Sequence, residues 1–439
     1  MADQHAIARP TPSGAATNNP IRRFMTATEL DTRLLGMAGA LILIWIAFNI
    51  FSGGLFLTPR NLWNLSVQTA SIAVMVTGMV LVIVTRNIDL SVGSILGLVA
   101  MIMGVMQTDI LPVQLGLGFG HPAIWALALA GGLVVGVGIG ALQGALIAYL
   151  KVPAFIVTLG GYLVWRGAAW WVTMGRTVAP LDSRFQLMGG GPSGAVGAFW
   201  SWVIGGLVCL GVVAMIYLGR RQRRRFNFPL RPLWAEAALA IIGCGITLAA
   251  IWVANSYAWP VRIAERFAEA NGIPVPEGGL FISHGVAVPV LVALAVAVVM
   301  TFIATRTRFG RYVFAMGGNP EAAELAGINT RWVTVKIFML MGGLCAVAAA
   351  ISSARLNAAT NALGTLDELY VIAAAVIGGT SLSGGVGTIA GAVLGAIVMQ
   401  SLQSGMVLMG IDSPLQSIVV GAVLVFAVWL DTLYRRNKS

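Results

Sequence analysis

Residues 123–148, AIWALALAGGLVVGVGIGALQGALIA, run without a single charge. A helix needs about 20 consecutive apolar residues to cross a bilayer, so this run suffices by itself. Gly136, Gly140 and Gly144 recur one helical turn apart and share a face. In lipid, where no hydrophobic drive pushes helices together, such a bare face lets a second backbone approach closely. Gly391 and Gly395 repeat the spacing further on. The stretch reads as a membrane-spanning helix with a packing seam.

Working outward, further apolar runs lie at 34–51, 66–84, 91–107, 153–173, 199–218, 234–254, 285–304, 332–354, 369–382, 386–409 and 415–433. The run 91–107 is barely long enough to span, and 369–382 is too short for an untilted helix. Composition agrees with the pattern. Of 439 residues, 58% are hydrophobic and 10% charged, whereas soluble domains carry about a quarter charged residues. That excludes an ordinary cytosolic enzyme, and equally a disordered chain. The expected fold is all-α: a polytopic membrane helix bundle of about 12 spans (10 to 12), with both termini cytoplasmic. Residues 1–33 read as a cytoplasmic N-terminal tail without a cleavable signal, and 34–436 as one transmembrane domain.

The formal charge of +11 would suggest nucleic acid in a soluble protein. In a membrane protein it reports topology, because Lys and Arg gather in cytoplasmic loops. With the N-terminus inside and the spans alternating, 19 of the 27 basic residues fall inside and 6 outside, while Arg166 and Lys336 lie within spans. That ratio favours cytoplasmic termini and an even number of spans, with the lipid bilayer rather than nucleic acid as partner. Trp63, Trp200, Trp202 and Trp259 near span ends read as interfacial anchors.

Several chemistries lack their residues. Cys209, Cys244 and Cys345 are scattered through apolar runs and make no disulfide framework; the three histidines are too dispersed for a metal site. No phosphate-binding Gly-x-x-x-x-Gly-Lys-Ser/Thr loop, His-Glu-x-x-His or Gly-x-Ser-x-Gly motif occurs. Gly384-Gly385-Val386-Gly387 reads as a tight turn between helices. The spans carry few ionisable groups and no mid-membrane carboxylate, which argues against proton coupling and suits a neutral, hydroxylated solute.

Three segments remain. The loop 305–331 contains TRTRFGRYVFAMGGNPEAAELAGIN over 305–329. Asn319 is placed to cap a short helix with Pro320 first and Glu321 and Glu324 in its opening turns. Gly327 is placed to end it, and Gly317-Gly318 precede it as a flexible pair. The second segment, TRNIDLSVGS at 85–94, is a charged, turn-rich break in which Asp89 or Ser91 would cap the next helix. Such breaks often line a translocation path. The third, AAAVIGGTSLSGGVGTIAGAVLG at 373–395, contains Val386-Gly387-Thr388-Ile389-x-Gly391, which parallels Val92-Gly93-Ser94-Ile95-x-Gly97 and suggests an internal repeat.

Glu321-Ala322-Ala323 followed by Gly327-Ile328 resembles the EAA-type coupling loop of ABC-importer permeases. Thr307-x-Phe309-Gly310-Arg311 and Gly317-Gly318-Asn319-Pro320-Glu321 resemble the ribose/xylose branch of sugar permeases. So do Ile88-Asp89-Leu90-Ser91-Val92-Gly93-Ser94 and the third segment, although Asn87 stands where the family usually has glycine. The resemblance covers about 34–436. An insertion at 199–254 around the basic run Arg220–Arg225 looks most like the xylose permeases. So do Val152-Pro153-x-Phe155-Ile156-Val157-Thr158-Leu159 and the closing Trp429-Leu430-Asp431.

The resemblance implies the permease subunit of an ATP-driven sugar importer, with xylose as the expected sugar, in the bacterial inner membrane. It is then no enzyme and has no cofactor of its own; ATP is used by a cytoplasmic ABC ATPase subunit. A periplasmic sugar-binding protein delivers the sugar, and a second permease copy completes a homodimer. Arg311, Asn319, Glu321, Glu324 and Gly327 become the ATPase-coupling residues. Gln68 and Thr69, a polar pair in the span 66–84, join Asn87, Asp89, Ser91, Gly93, Thr380 and Ser381 as candidates for the path. The alternatives are a self-sufficient secondary carrier for a neutral solute, a permease for another pentose, hexose or small polyol, and a membrane-embedded enzyme or scaffold.

Overall fold

The computed structural model describes residues 27–29, 32–276 and 279–436, so residues 1–26 of the expected tail lie outside the described residues. Regular structure among the described residues is helical throughout. In chain order the helices are α1 (Thr32–Phe51), α2 (Pro59–Val84), α3 (Val92–Val105), α4 (Ile124–Ala148), α5 (Ala154–Thr173), α6 (Gly197–Arg225), α7 (Leu233–Asn255) and α8 (Val261–Asn271). After them come α9 (Val288–Arg306), α10 (Arg308–Gly318), α11 (Pro320–Leu325), α12 (Thr330–Leu356), α13 (Asp367–Ile377), α14 (Ile389–Leu408) and α15 (Ser413–Arg436). Nine of them are long and apolar enough to cross a membrane: α1 to α4, α6, α7, α9, α12 and α14, with α3 continued by the π-helical stretch Met106–Gln114.

The hydrophobic core is built around α2, which is enclosed along most of its length by α12, α14, α9 and α13. The expected glycine seam is real. The α-carbon of Gly140 abuts the Phe338 carbonyl, and Gly136 abuts that of Gly342, so α4 and α12 touch backbone to backbone. Gly391 and Gly395 do the same for α14 against Gly378 and Ala374 at the end of α13.

Each of the twelve apolar runs carries a helix, but 369–382 holds only the eleven residues of α13. At 1.5 Å per residue that is about 16 Å, roughly half the hydrocarbon thickness. Residues 357–366 precede it as an irregular strap lying on α3. Gly104 faces Ala359, Gly97 faces the Leu363 carbonyl and Gly93 faces the Gly364 carbonyl, so small residues on α3 leave room for the strap's backbone. Arg166, in the middle of α5, fixes the strap by donating from Nη1 to the carbonyls of Asn361 (2.8 Å) and Leu363 (2.7 Å). Non-helical backbone is tolerated at such depth only where protein covers it.

The strap also corrects a sequence expectation. The spans are expected to hold no mid-membrane carboxylate, but Asp367 and Glu368, just ahead of the apolar run 369–382, open α13 inside the bundle, Glu368 buried and Asp367 half-buried. The interior therefore does contain carboxylates, Asp89 among them, and their absence no longer separates an importer from a proton-coupled carrier. Trp63 also departs from its expected place. It is buried and donates from Nε1 to the Gly285 carbonyl (2.8 Å), whereas Trp200 and Trp202 are exposed.

Helices α6 and α7 pack mainly on each other at the flank of the bundle, with α7 also touching α2. The basic end of the pair is partly neutralised: Arg220 pairs with Glu236 (2.8 Å), and Arg223 and Arg231 both bind Glu29. Those two arginines, Arg223 foremost, pull the Glu29 carboxyl down to about 2.

Candidate functional site

The three segments singled out in the sequence meet at one end of α2. Arg86, just past that end with a left-handed φ of 63°, donates from Nε to the Gly317 carbonyl (3.1 Å) and from Nη2 to that of Gly318 (2.8 Å). The backbone N–H of Gly385 donates to the Val84 carbonyl (2.9 Å). Gly384 and Gly385, both at positive φ, make the tight turn that lets residues 381–388 reach this junction. Gly317-Gly318 are not a flexible link. They complete α10, whose start is capped by Thr307 through the Gly310 N–H, and Gly317 is packed too closely on the Val84 carbonyl to admit a side chain.

Asn319 caps α11 as expected, its Oδ1 accepting from the Ala322 N–H (3.0 Å). Gly327 closes the helix at φ 83°: its N–H reaches the Glu324 carbonyl while that of Ile328 reaches Ala323, a Schellman closure that needs a left-handed residue. Only Ala323 of α11 is buried. Glu321 and Glu324 are exposed, and Leu325 is 90% exposed, more than any other large apolar side chain among the described residues. Arg311 is exposed on α10 and makes no ion pair with either glutamate.

The candidate path residues do not converge on one place. Asp89 and Ser91 are buried in a polar knot. Asp89 Oδ1 accepts from both the N–H (2.8 Å) and the hydroxyl (2.6 Å) of Ser91, whose hydroxyl also meets the Gln143 amide. Neither residue caps α3 through its side chain. The knot, with Thr158 donating to the Ile88 carbonyl (3.2 Å), ties the α2–α3 break to α4 and α5. Gly93 lies under the strap, and Asn87 donates locally to Thr85. Thr380 and Ser381 are buried beside the junction, the first with its hydroxyl unpartnered and the second paired with Ser383 (2.8 Å). Thr69 returns its hydroxyl to the Leu65 carbonyl (2.7 Å).

Of these candidates, Gln68 lines a polar cavity that the others do not reach. Toward the far end of α2, a polar space of about 320 Å³ opens between α2, α12, the strap and α14. Gln400, Gln403, Ser352, Arg355, Thr360 and Asp367 also line it, and none of these was singled out by motif. The available signal was Gln400 and Gln403 one turn apart within an otherwise apolar run.

The family described as "Branched-chain amino acid transport system / permease component" matches residues 184–428. The xylose transport system permease protein XylH of Escherichia coli K12 is 36% identical over 420 residues, covering 94% of this chain and 95% of its own. This chain belongs to the ABC-transporter permease family. XylH of Haemophilus influenzae is 35% identical over 398 residues (91% and 96% of the two chains), and the ribose import permease RbsC of E. coli K12 is 30% identical over 410 residues (93% and 96%). No solved structure matches. As an ABC permease the protein is a multi-pass inner-membrane subunit and not an enzyme; a separate ATPase hydrolyses the ATP, and a periplasmic binding protein supplies the solute.

Proposed function

We propose that this permease forms the membrane path of a xylose importer, built as a homodimer with both termini of each copy in the cytoplasm and about twelve crossings, α13 and the strap together counting as one. The permease unit is 34–436, with α6–α7 as the inserted pair over 199–254 and 305–331 as the cytoplasmic coupling loop. The chain needs no cofactor of its own. In this reading α11 docks on the ATPase through Leu325, Glu321 and Glu324, with Asn319 and Gly327 setting its ends and Arg311 flanking it. Closure of the ATPase pulls on α11. Arg86 passes the movement to the α2–α3 break and the Gly384-Gly385 turn, and the bundle opens alternately to either side.

One observation carries this mechanism: the most exposed large apolar side chain projects from a short capped helix whose preceding residues are gripped by Arg86. The test is uptake of labelled xylose by proteoliposomes holding the permease, its ATPase and a xylose-binding protein. ATP-dependent accumulation is expected. Gradient-driven uptake by the permease alone would instead identify a secondary carrier.

A further inference from the structure

The cavity beside Gln68 has the chemistry of a solute site. Gln400 donates from Nε2 to Oε1 of both Gln68 and Gln403, 3.0 Å each, so three amides from two helices form a ladder. The bonds use both protons of the central amide and leave its carbonyl, with the NH2 groups of the outer two, free of protein partners among the described residues. Among the described residues the hydroxyls of Ser352 and Thr360 on the same wall make no hydrogen bond, and Arg355 makes neither a hydrogen bond nor an ion pair. Groups so placed require water or a ligand, since leaving them unmet is costly.

The lining also restricts the occupant. Arg355 puts a basic group and Asp367 an acidic one on the same wall, among neutral amides and hydroxyls, so no cluster of one charge type selects an anion or a cation. Planar amide, carboxylate and guanidinium groups match neighbouring hydroxyls in pairs, while Ile72 and Leu363 offer an apolar edge for a ring's C–H face. A volume of about 320 Å³ lies at the lower limit of ligand pockets, about 300–1,000 Å³, and is enough for a sugar ring. We infer that this cavity binds a single neutral monosaccharide through the Gln68–Gln400–Gln403 ladder, so that the permease itself inspects the sugar after its delivery. The inference rests on the importer reading and adds a place in this chain where sugars are discriminated.

The test uses the permease–ATPase complex in nanodiscs without binding protein, with labelled D-xylose measured by scintillation proximity. Saturable binding is expected, displaced by unlabelled xylose and not by gluconate or a disaccharide. Gln400→Leu should weaken it at least roughly tenfold, the loss of about one hydrogen bond or more. Co-purification with the ATPase checks that the variant assembles, and Ser352→Ala, which deletes one hydroxyl and little volume, serves in its place if it does not. Absence of saturable binding by the wild-type complex, or unchanged affinity in an assembled Gln400→Leu complex, overturns the inference. Reconstituted uptake in the same preparation separates the two claims. ATP-driven uptake without binding removes the site and leaves the importer, whereas binding without ATP-dependent uptake of any monosaccharide removes the importer reading.

Discussion

Arg86 and Gly317, 231 residues apart, are joined by a 3.1 Å hydrogen bond from the arginine Nε to the glycine carbonyl. A second bond to Gly318 makes the guanidinium a two-pronged clamp on the end of α10. The clamp spans from the break after α2, the central helix, to the residues directly before α11. Among the described residues few other side-chain bonds link the loop 307–329 to the bundle, so a force on α11 would reach α2 chiefly through backbone packing and this arginine.

Arg86→Ala should therefore insert normally and still recruit the ATPase, yet transport poorly. Hydrogen bonds from a charged group are worth about 1.5–3 kcal/mol when buried, and partial exposure here reduces that figure. A fall in ATP-driven uptake of about tenfold, with ATPase co-purification unchanged, is the expected pattern. Arg86→Lys should recover little, because an ammonium cannot reproduce the two-pronged geometry. Equal uptake by wild type and Arg86→Ala would remove the clamp from the mechanism.

Changes on α11 should fail differently. Leu325→Asp replaces the projecting apolar contact and should abolish co-purification of the ATPase. Glu321→Lys reverses charge in the first turn, where the helix dipole favours an acid. Gly327→Pro cannot adopt φ 83° and removes the N–H that closes the helix on Glu324. Both should uncouple ATP hydrolysis from uptake while membrane insertion persists. Unchanged uptake in Glu321→Lys and Gly327→Pro together would refute docking at α11.

Arg166→Gln tests the strap. The substitution removes a charged donor from two interior carbonyls, a loss of about 2–3 kcal/mol if neither finds another partner. The strap should then leave α3 more often. A cysteine placed at Thr360 should react faster with a membrane-impermeant thiol reagent in the Arg166→Gln background than in the parent. Identical rates would mean that close packing of the strap on Gly93, Gly97 and Gly104 suffices to fix it.

Local rules made much of this legible. Gly136, Gly140 and Gly144 announced the α4–α12 contact because a period of four on a helix is a face. Asn319, Pro320 and Gly327 announced α11 because caps are written in consecutive residues. The strap was invisible for the opposite reason: Asp367 and Glu368 stand just ahead of the apolar run, and it is Arg166, some 200 positions away, that holds the chain inward. The cavity was hidden similarly, since its walls come from elements far apart in sequence and its amide ladder joins Gln68 to Gln400 across 332 residues. Family resemblance supplied path candidates such as Asp89 and Ser91, but these two lock the α2–α3 break and do not line the open space.

His284 yields a prediction with a definite sign. Its ring is buried, stacked on Tyr257 at 4.3 Å between centroids and 4.9 Å from Trp63, in the loop that joins the start of α2 to α6 and α9. Burial holds the imidazole below its ordinary value of 6.5, outweighing its contact with the Tyr257 carbonyl. Above pH 6.5 the ring is neutral whether the loop is folded or not, and the aromatic cluster keeps its full stability. As pH falls through 6.5 the unfolded loop takes up a proton that the folded one resists, so stability declines until the lower, folded value is passed. The melting temperature of the solubilised permease should thus be lower at pH 5.5 than at pH 7.5. His284→Phe keeps the ring packing without the titration, and it should narrow that difference. An equal pH dependence in the two proteins would place the titrating group elsewhere.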